Sequence, residues 1–161
     1  MAHANNLDDG WSMAAFLTGK QKQPLEVWLA DDHDQLLDAS ERLLLSEGVR
    51  VLGKASTGVG VLQLLEEQPT TAVVVDLRLP DLNGLEVARR VGEIARRKTA
   101  VIIYTSHANE QVVADALDAG ARAIVLKDGS PDNLLAAMRA VAEGETYVDP
   151  QLRRDETGQS S

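Results

Sequence analysis

The amino-acid sequence predicts an α/β fold, a doubly wound parallel sheet with helices on both faces, over approximately residues 24–149 of the 161. Three observations carry that expectation. Strand-like apolar runs alternate with helical patterns through the whole region, as parallel strands joined by right-handed crossovers require. Two of the runs, Val73-Val74-Val75 and Val101-Ile102-Ile103, are continuously apolar rather than alternating, which marks central strands buried on both faces. The chain is 44% hydrophobic but only 3% aromatic, so its core must be built from Val, Leu, Ile and Ala. At roughly 150 residues per domain, the length allows one main core.

The elements follow in order. The first strand, Leu25–Ala30, ends in Asp31-Asp32, and the helical pattern Gln35–Glu47 follows with Leu36, Leu37, Leu43 and Leu44 at helical spacing. Strand Val49–Lys54 leads to helix Val59–Glu67, and strand Thr71–Val75 ends in Asp76. Helix Leu85–Arg97 precedes strand Ala100–Tyr104, which runs into Thr105-Ser106. Helix Glu110–Ala119 carries Val112, Val113, Ala116 and Leu117, and the fifth strand, Ala123–Leu126, ends in Lys127. Helix Pro131–Glu143 has the clearest boundaries. Ser130-Pro131-Asp132 fits an N-cap followed by proline at the first helical position, and Gly144 fits the stop. Residues 150–161 read as a C-terminal tail or linker remnant, with the polar stretch Arg153 to Ser161 expected to carry no fold. Residues 1–23 form an N-terminal extension in which Trp11–Leu17 admits two readings, a pair of amphipathic turns or disorder.

Composition removes several function classes. Sixteen Lys plus Arg against 25 Asp plus Glu give a net charge of -9, which repels a polyanion, so direct nucleic-acid binding by this chain is disfavoured. With no cysteine there is neither a disulfide framework nor a thiolate metal site. No apolar run approaches the ~20 residues that span a bilayer, and the N-terminus lacks the pattern of a secretory signal. The expectation is a cytoplasmic protein without a membrane partner.

In an open parallel sheet, ligands bind beyond the carboxyl ends of the strands. Those ends bring together Asp31, Asp32, Asp76, Thr105 and Lys127. Three carboxylates on one edge repel one another unless a cation lies among them, and an oxygen-only site suits Mg²⁺. A carboxylate beside Mg²⁺ can attack a phosphoryl group, which makes Asp76 the candidate nucleophile. Lys127 would neutralise one phosphoryl oxygen, the Thr105 hydroxyl would hydrogen-bond another, and the metal would hold the third. Taken singly, each residue has an ordinary reading: Asp31 or Asp32 as a helix cap, Asp76 as a turn residue, Thr105 as strand-end filler and Lys127 as solvated surface. Their conjunction at four strand ends favours the site.

The segments LADDH (Leu29–His33), DLRLPDLNG (Asp76–Gly84), YTSH (Tyr104–His107) and LKD (Leu126–Asp128) resemble the receiver domain of two-component response regulators over about residues 25–150. The resemblance implies a flavodoxin-like (CheY-like) sheet of five parallel strands in the order 2-1-3-4-5. It implies Asp76 as phosphoacceptor, Asp32 as direct metal ligand and Asp31 as a ligand largely through water, with the backbone carbonyl of Arg78 completing the protein's share. Pro80 and Gly84 match the family's loop residues. The implied partner is a histidine kinase or phosphotransfer protein, and the implied role is signalling rather than enzymatic. Dimerisation through the last two helices, or the first and the last, is a further implication.

GARAIVLKDGSPDNLLAAMRAVAEGETYVDP looks most like the NarL/FixJ type, whose members usually continue into a helix-turn-helix domain. Only 11 residues follow Pro150, too few for one, so the expectation is a stand-alone receiver or the receiver fragment of a DNA-binding regulator. One departure is Ile124, where receivers commonly carry an aromatic switch residue; the Thr105 hydroxyl is then left to carry the switch. Arg78 and His107 occupy the positions that tune hydrolysis of the acyl phosphate. His33 and His3 have no obvious partner and read as solvated or capping. The basic cluster Arg89, Arg90, Arg96, Arg97 and Lys98 reads as a solvated helix face. A haloacid-dehalogenase-type phosphatase is disfavoured because Arg78 stands where its acid would be. A phosphorylation-independent pseudo-receiver is disfavoured because the full residue set is present.

Overall fold

The computed structural model describes residues 25–94 and 99–156. The extension 1–23, with His3 and Trp11–Leu17, lies outside the described residues, as do Arg96, Arg97 and Lys98. Six parallel strands form one sheet in the order β2-β1-β3-β4-β5-β6. They are β1 (Glu26–Ala30), β2 (Arg50–Ala55), β3 (Ala72–Val75), β4 (Ala100–Thr105), β5 (Ala123–Leu126) and β6 (Tyr147–Val148). The helices are α1 (Asp34–Ser46), α2 (Gly58–Glu67), α3 (Gly84–Ile94), α4 (Glu110–Asp118), α5 (Asp132–Ala142) and α6 (Pro150–Glu156). No helix among the described residues is long and apolar enough to cross a membrane.

Burial of both sheet faces explains the continuous apolar runs. Val27, Leu29, Val74, Ile102 and Val125 face a cluster closed by Leu37 and Leu44 of α1 and by Leu134, Leu135, Met138 and Val141 of α5. Their neighbours Trp28, Ala30, Val73, Val75, Val101, Ile103 and Ile124 face the opposite cluster, closed by α2, α3 and α4. Strands β3 and β4, predicted to be central, are flanked on both sides. The large ring of Trp28 reaches towards Gly53, where a Cβ would sit 2.7 Å from the ring, and its indole N–H donates to the Gln68 carbonyl at 2.9 Å. The β1–β2 pairing shifts register by one residue at Val27/Trp28, which sets Trp28 against Gly53.

The C-terminal end differs from the sequence expectation. A sixth strand extends the expected order, and the stretch from Arg153 onward is not structureless, because α6 runs to Glu156. Tyr147 donates its N–H to the Arg122 carbonyl at 2.9 Å, and Asp149 to the Ile124 carbonyl at 2.8 Å, so two residues complete the sheet edge. Leu152, 4% exposed, inserts into the cluster under α4. Helix α5 starts one residue after Pro131, with Ser130 Oγ accepting the Asp132 N–H at 3.2 Å. The predicted helix from Leu85 is described only to Ile94.

Candidate functional site

Parallel register places the predicted residues on one edge. Ala30 pairs with Val75, so Asp31 and Asp76 leave adjacent strands at the same level, and the Asp76 N–H prolongs the ladder to the Ala30 carbonyl at 3.0 Å. Thr105 pairs with Leu126, and the Lys127 N–H donates to the Thr105 carbonyl at 2.8 Å.

The Lys127 ammonium bridges two of the carboxylates, donating to Asp31 Oδ2 and, at 3.1 Å, to Asp76 Oδ2. All three side chains are less than a tenth exposed. Burial alone would pull the ammonium down in pKa, but the hydrogen bond and charge of Asp31, then Asp76, outweigh it and hold Lys127 above its ordinary value. The ammonium also lies 5.9 Å above the centre of the Tyr104 ring. Lys127 is therefore not a solvated surface residue.

Asp32 is more exposed, and His33 lies against both aspartates, its Nδ1 3.0 Å from Asp31 Oδ1 and 3.1 Å from Asp32 Oδ1. The reading of His33 as partnerless is corrected: Asp31 first, through the hydrogen bond, and then the charge of Asp32 raise its pKa above 6.5. Neither aspartate caps α1, whose N-cap position is His33, without a side-chain cap bond. Asp31 instead folds back to accept the His33 N–H at 3.0 Å. Asp31, Asp32, His33 and Asp76 each offer a ligand atom within 4.8 Å of all the others. Carboxylate oxygens crowded at that spacing are the donor set of a small hard cation, so the residues fit Mg²⁺.

The loop after Asp76 is tightly closed. Arg78, exposed, directs its N–H towards Asp76 Oδ1 at 3.4 Å and forms a bridge with Asn83. Gly84 donates to the Leu77 carbonyl at 2.7 Å, and a Cβ at Gly84 would meet the Asp76 carbonyl oxygen at 2.7 Å, so glycine is required by close approach. Pro80 is exposed on the same loop. Asp81 follows it and accepts the N–H groups of Gly58 at 2.8 Å and Val59 at 2.9 Å, tying the loop to the start of α2. Burial pushes the Asp81 carboxyl up, but these backbone donors together with the Leu82 N–H hold it below its ordinary value.

Thr105 is 3% exposed, its Oγ1 loosely engaged with the His107 carbonyl at 3.5 Å and with the His107 N–H at 3.4 Å. His107 itself is exposed. Ile124 is fully buried in the cluster beneath α4. Arg89 and Arg90 pair with Glu86 at 3.1 and 3.0 Å on a solvated helix face.

Tyr104 and Asp149, a fully buried aspartate at the start of α6, also adjoin these strand ends, and neither was singled out from sequence. Asp149 stands directly before Pro150, an N-cap signature that a two-residue strand conceals.

A family model described as the response regulator receiver domain matches residues 27–139. The nitrate/nitrite response regulator protein NarL of Escherichia coli K12 is 32% identical over 132 residues, covering 81% of this chain and 61% of NarL. The response regulator UvrY of the same organism is 30% identical over 129 residues, 77% of this chain and 57% of UvrY. The chain thus spans about three fifths of the length of these curated relatives. Among solved structures, a two-component response regulator of the LuxR family from Aurantimonas sp. SI85-9A1 superposes with a TM-score of 0.81 at 25% identity, covering 85% of this chain and 98% of that one. With its strand order, its acidic strand ends and a match over most of its length, the chain belongs to the response regulator receiver domain family.

Proposed function

We propose that the protein receives a phosphoryl group on Asp76 from a histidine kinase or phosphotransfer protein in the cytoplasm and answers by altering a protein-interaction surface. The observation that supports this most directly is the Lys127 ammonium shared by Asp31 and Asp76, with Asp32 alongside. Asp31, Asp32, Asp76 and the backbone carbonyl of Arg78 would hold Mg²⁺. When bound, that ion supplies neutralisation of phosphoryl oxygen charge. An Asp76 carboxylate oxygen attacks phosphorus, the donor's P–N bond in phosphohistidine or P–O bond in acetyl phosphate breaks, and the leaving group departs with the electron pair.

Lys127 then trades its Asp76 oxygen for a phosphoryl oxygen, and its buried, raised-pKa ammonium stays charged while doing so. The Thr105 hydroxyl, weakly held at 3.5 Å, turns from the His107 carbonyl to a second phosphoryl oxygen and draws the β4–α4 loop with it. Ile124 gives this switch no aromatic rotamer, so displacement of Thr105 carries the readout. Arg78 and His107, both exposed at the rim, set how readily water reaches the acyl phosphate. Small donors and slow self-dephosphorylation are the only chemistry this scheme requires of the protein. The greater length of NarL and UvrY supports a second reading, the receiver portion of a DNA-binding transcription regulator with the same phosphoacceptor and with contacts to a second copy.

Incubation with Mg²⁺ and acetyl phosphate, followed by intact mass measurement, tests the proposal. One phosphoryl adduct is expected, absent from Asp76→Asn and absent without Mg²⁺. An adduct that survives Asp76→Asn, or its absence from a Mg²⁺-binding wild type offered cognate phosphodonors, would overturn it.

A further inference from the structure

Asp149 has no exposed surface, yet the phosphoryl chemistry does not use it. Its place follows from the ladder it ends. In a parallel strand, successive N–H groups face alternate neighbours. The Lys127 N–H is taken by β4, through the Thr105 carbonyl, so the Leu126 N–H faces β6. By that level β6 has ended at Val148, and the chain turns at Asp149-Pro150 into α6. The Asp149 side chain replaces the missing strand: its Oδ2 accepts the Leu126 N–H at 3.0 Å. Its other oxygen, Oδ1, accepts the Gln151 N–H at 2.9 Å, while its backbone carbonyl accepts from Leu152 at 2.9 Å and Arg153 at 3.1 Å. One buried carboxylate therefore holds the β5 terminus, one residue before Lys127, to the first turn of α6. An N–H withdrawn from solvent and left without an acceptor is destabilising, so this strand end depends on that oxygen.

We infer that Asp149 is a positioning residue of the phosphoryl site, fixing the β5 end from which Lys127 reaches Asp31 and Asp76, and that α6 is thereby part of the site's support. The inference rests on the phosphoacceptor reading for its kinetic consequence alone; the positioning of Lys127 is independent of it.

Asp149→Ser in the 161-residue chain separates the two duties. A serine hydroxyl still caps α6 through the Gln151 N–H but stops short of Leu126. Amide exchange at Leu126 should accelerate at least tenfold while that at Gln151 stays within twofold. The ¹⁵N-edited signal of the Lys127 ammonium should shift in the metal-free protein. The Mg²⁺ dissociation constant, set by untouched carboxylates, should stay within twofold, whereas adduct formation from acetyl phosphate should slow at least fivefold. A helix cap alone would move neither the Lys127 signal nor the split between metal affinity and rate. If both the Lys127 signal and the adduct rate match wild type, Asp149 is only structural and the inference falls. If wild type forms no Asp76-dependent adduct, the phosphoacceptor reading falls, and the Lys127 signal decides the inference by itself. Should Asp149→Ser fail to fold, Asp149→Thr, whose hydroxyl likewise caps α6 but stops short of Leu126, is read the same way.

Discussion

The aspartates of this site share two basic neighbours, Lys127 and His33, and the histidine contact can be titrated. His33 is raised above 6.5 chiefly by its hydrogen bond to Asp31. A group raised on folding contributes its stabilisation fully below its unfolded pKa and loses it as pH rises through the folded one. The Cε1–H resonance of His33 should therefore have its midpoint above 6.5, and Asp31→Asn should return it towards that value; an unmoved midpoint would show that Asp31 is not the cause. Gly84→Ala forces a methyl group onto the Asp76 carbonyl oxygen, 2.7 Å away, and should lower stability by about 1–3 kcal/mol in urea unfolding. The placement of Asp31, Asp32, Asp76, Thr105 and Lys127 was legible in sequence because each terminates an apolar run, and parallel strands put their ends on one edge. His33 was not: its partner is two residues away, brought round by a backbone turn that leaves no periodic mark.

Elements are held to one another by side chains that serve two of them. Asp81 of the β3–α3 loop receives the first two N–H groups of α2, which Thr57 also caps through Gly60 at 2.9 Å. Asp81→Ala should cost about 1 kcal/mol. Because its carboxyl is lowered on folding, the contribution is complete above the unfolded pKa near 3.8 and is lost as pH falls through the folded value. The wild-type advantage in urea midpoint should accordingly shrink in acid; a gap that does not change as pH falls from neutral into the acid range would contradict the ionic cap. The first five strands and five helices were readable from hydrophobic periodicity, whereas β6 and α6 were not. Two strand residues are too few for a pattern, and α6 shows one buried leucine among polar neighbours. Asp149 escaped notice for the same reason, since its acceptor role exists only where the ladder breaks off.

At the scale of the molecule, α6 closes the side of the sheet that carries α4, with Leu152 in the core and α6 packed against α4. Leu152→Ala should destabilise the protein by about 2 kcal/mol in urea unfolding, and a loss below a few tenths would show α6 to be only loosely docked. The sheet also divides the interior into two clusters that share no buried residue. Val73 and Val74 are covalent neighbours, yet one answers to α2, α3 and α4 and the other to α1 and α5. The two sides are thus separate packing problems solved by one strand set, and sequence drift on one need not await compensation on the other. A protein built this way can alter the packing beneath α2, α3 and α4 while α1 and α5 go on holding the same strand ends.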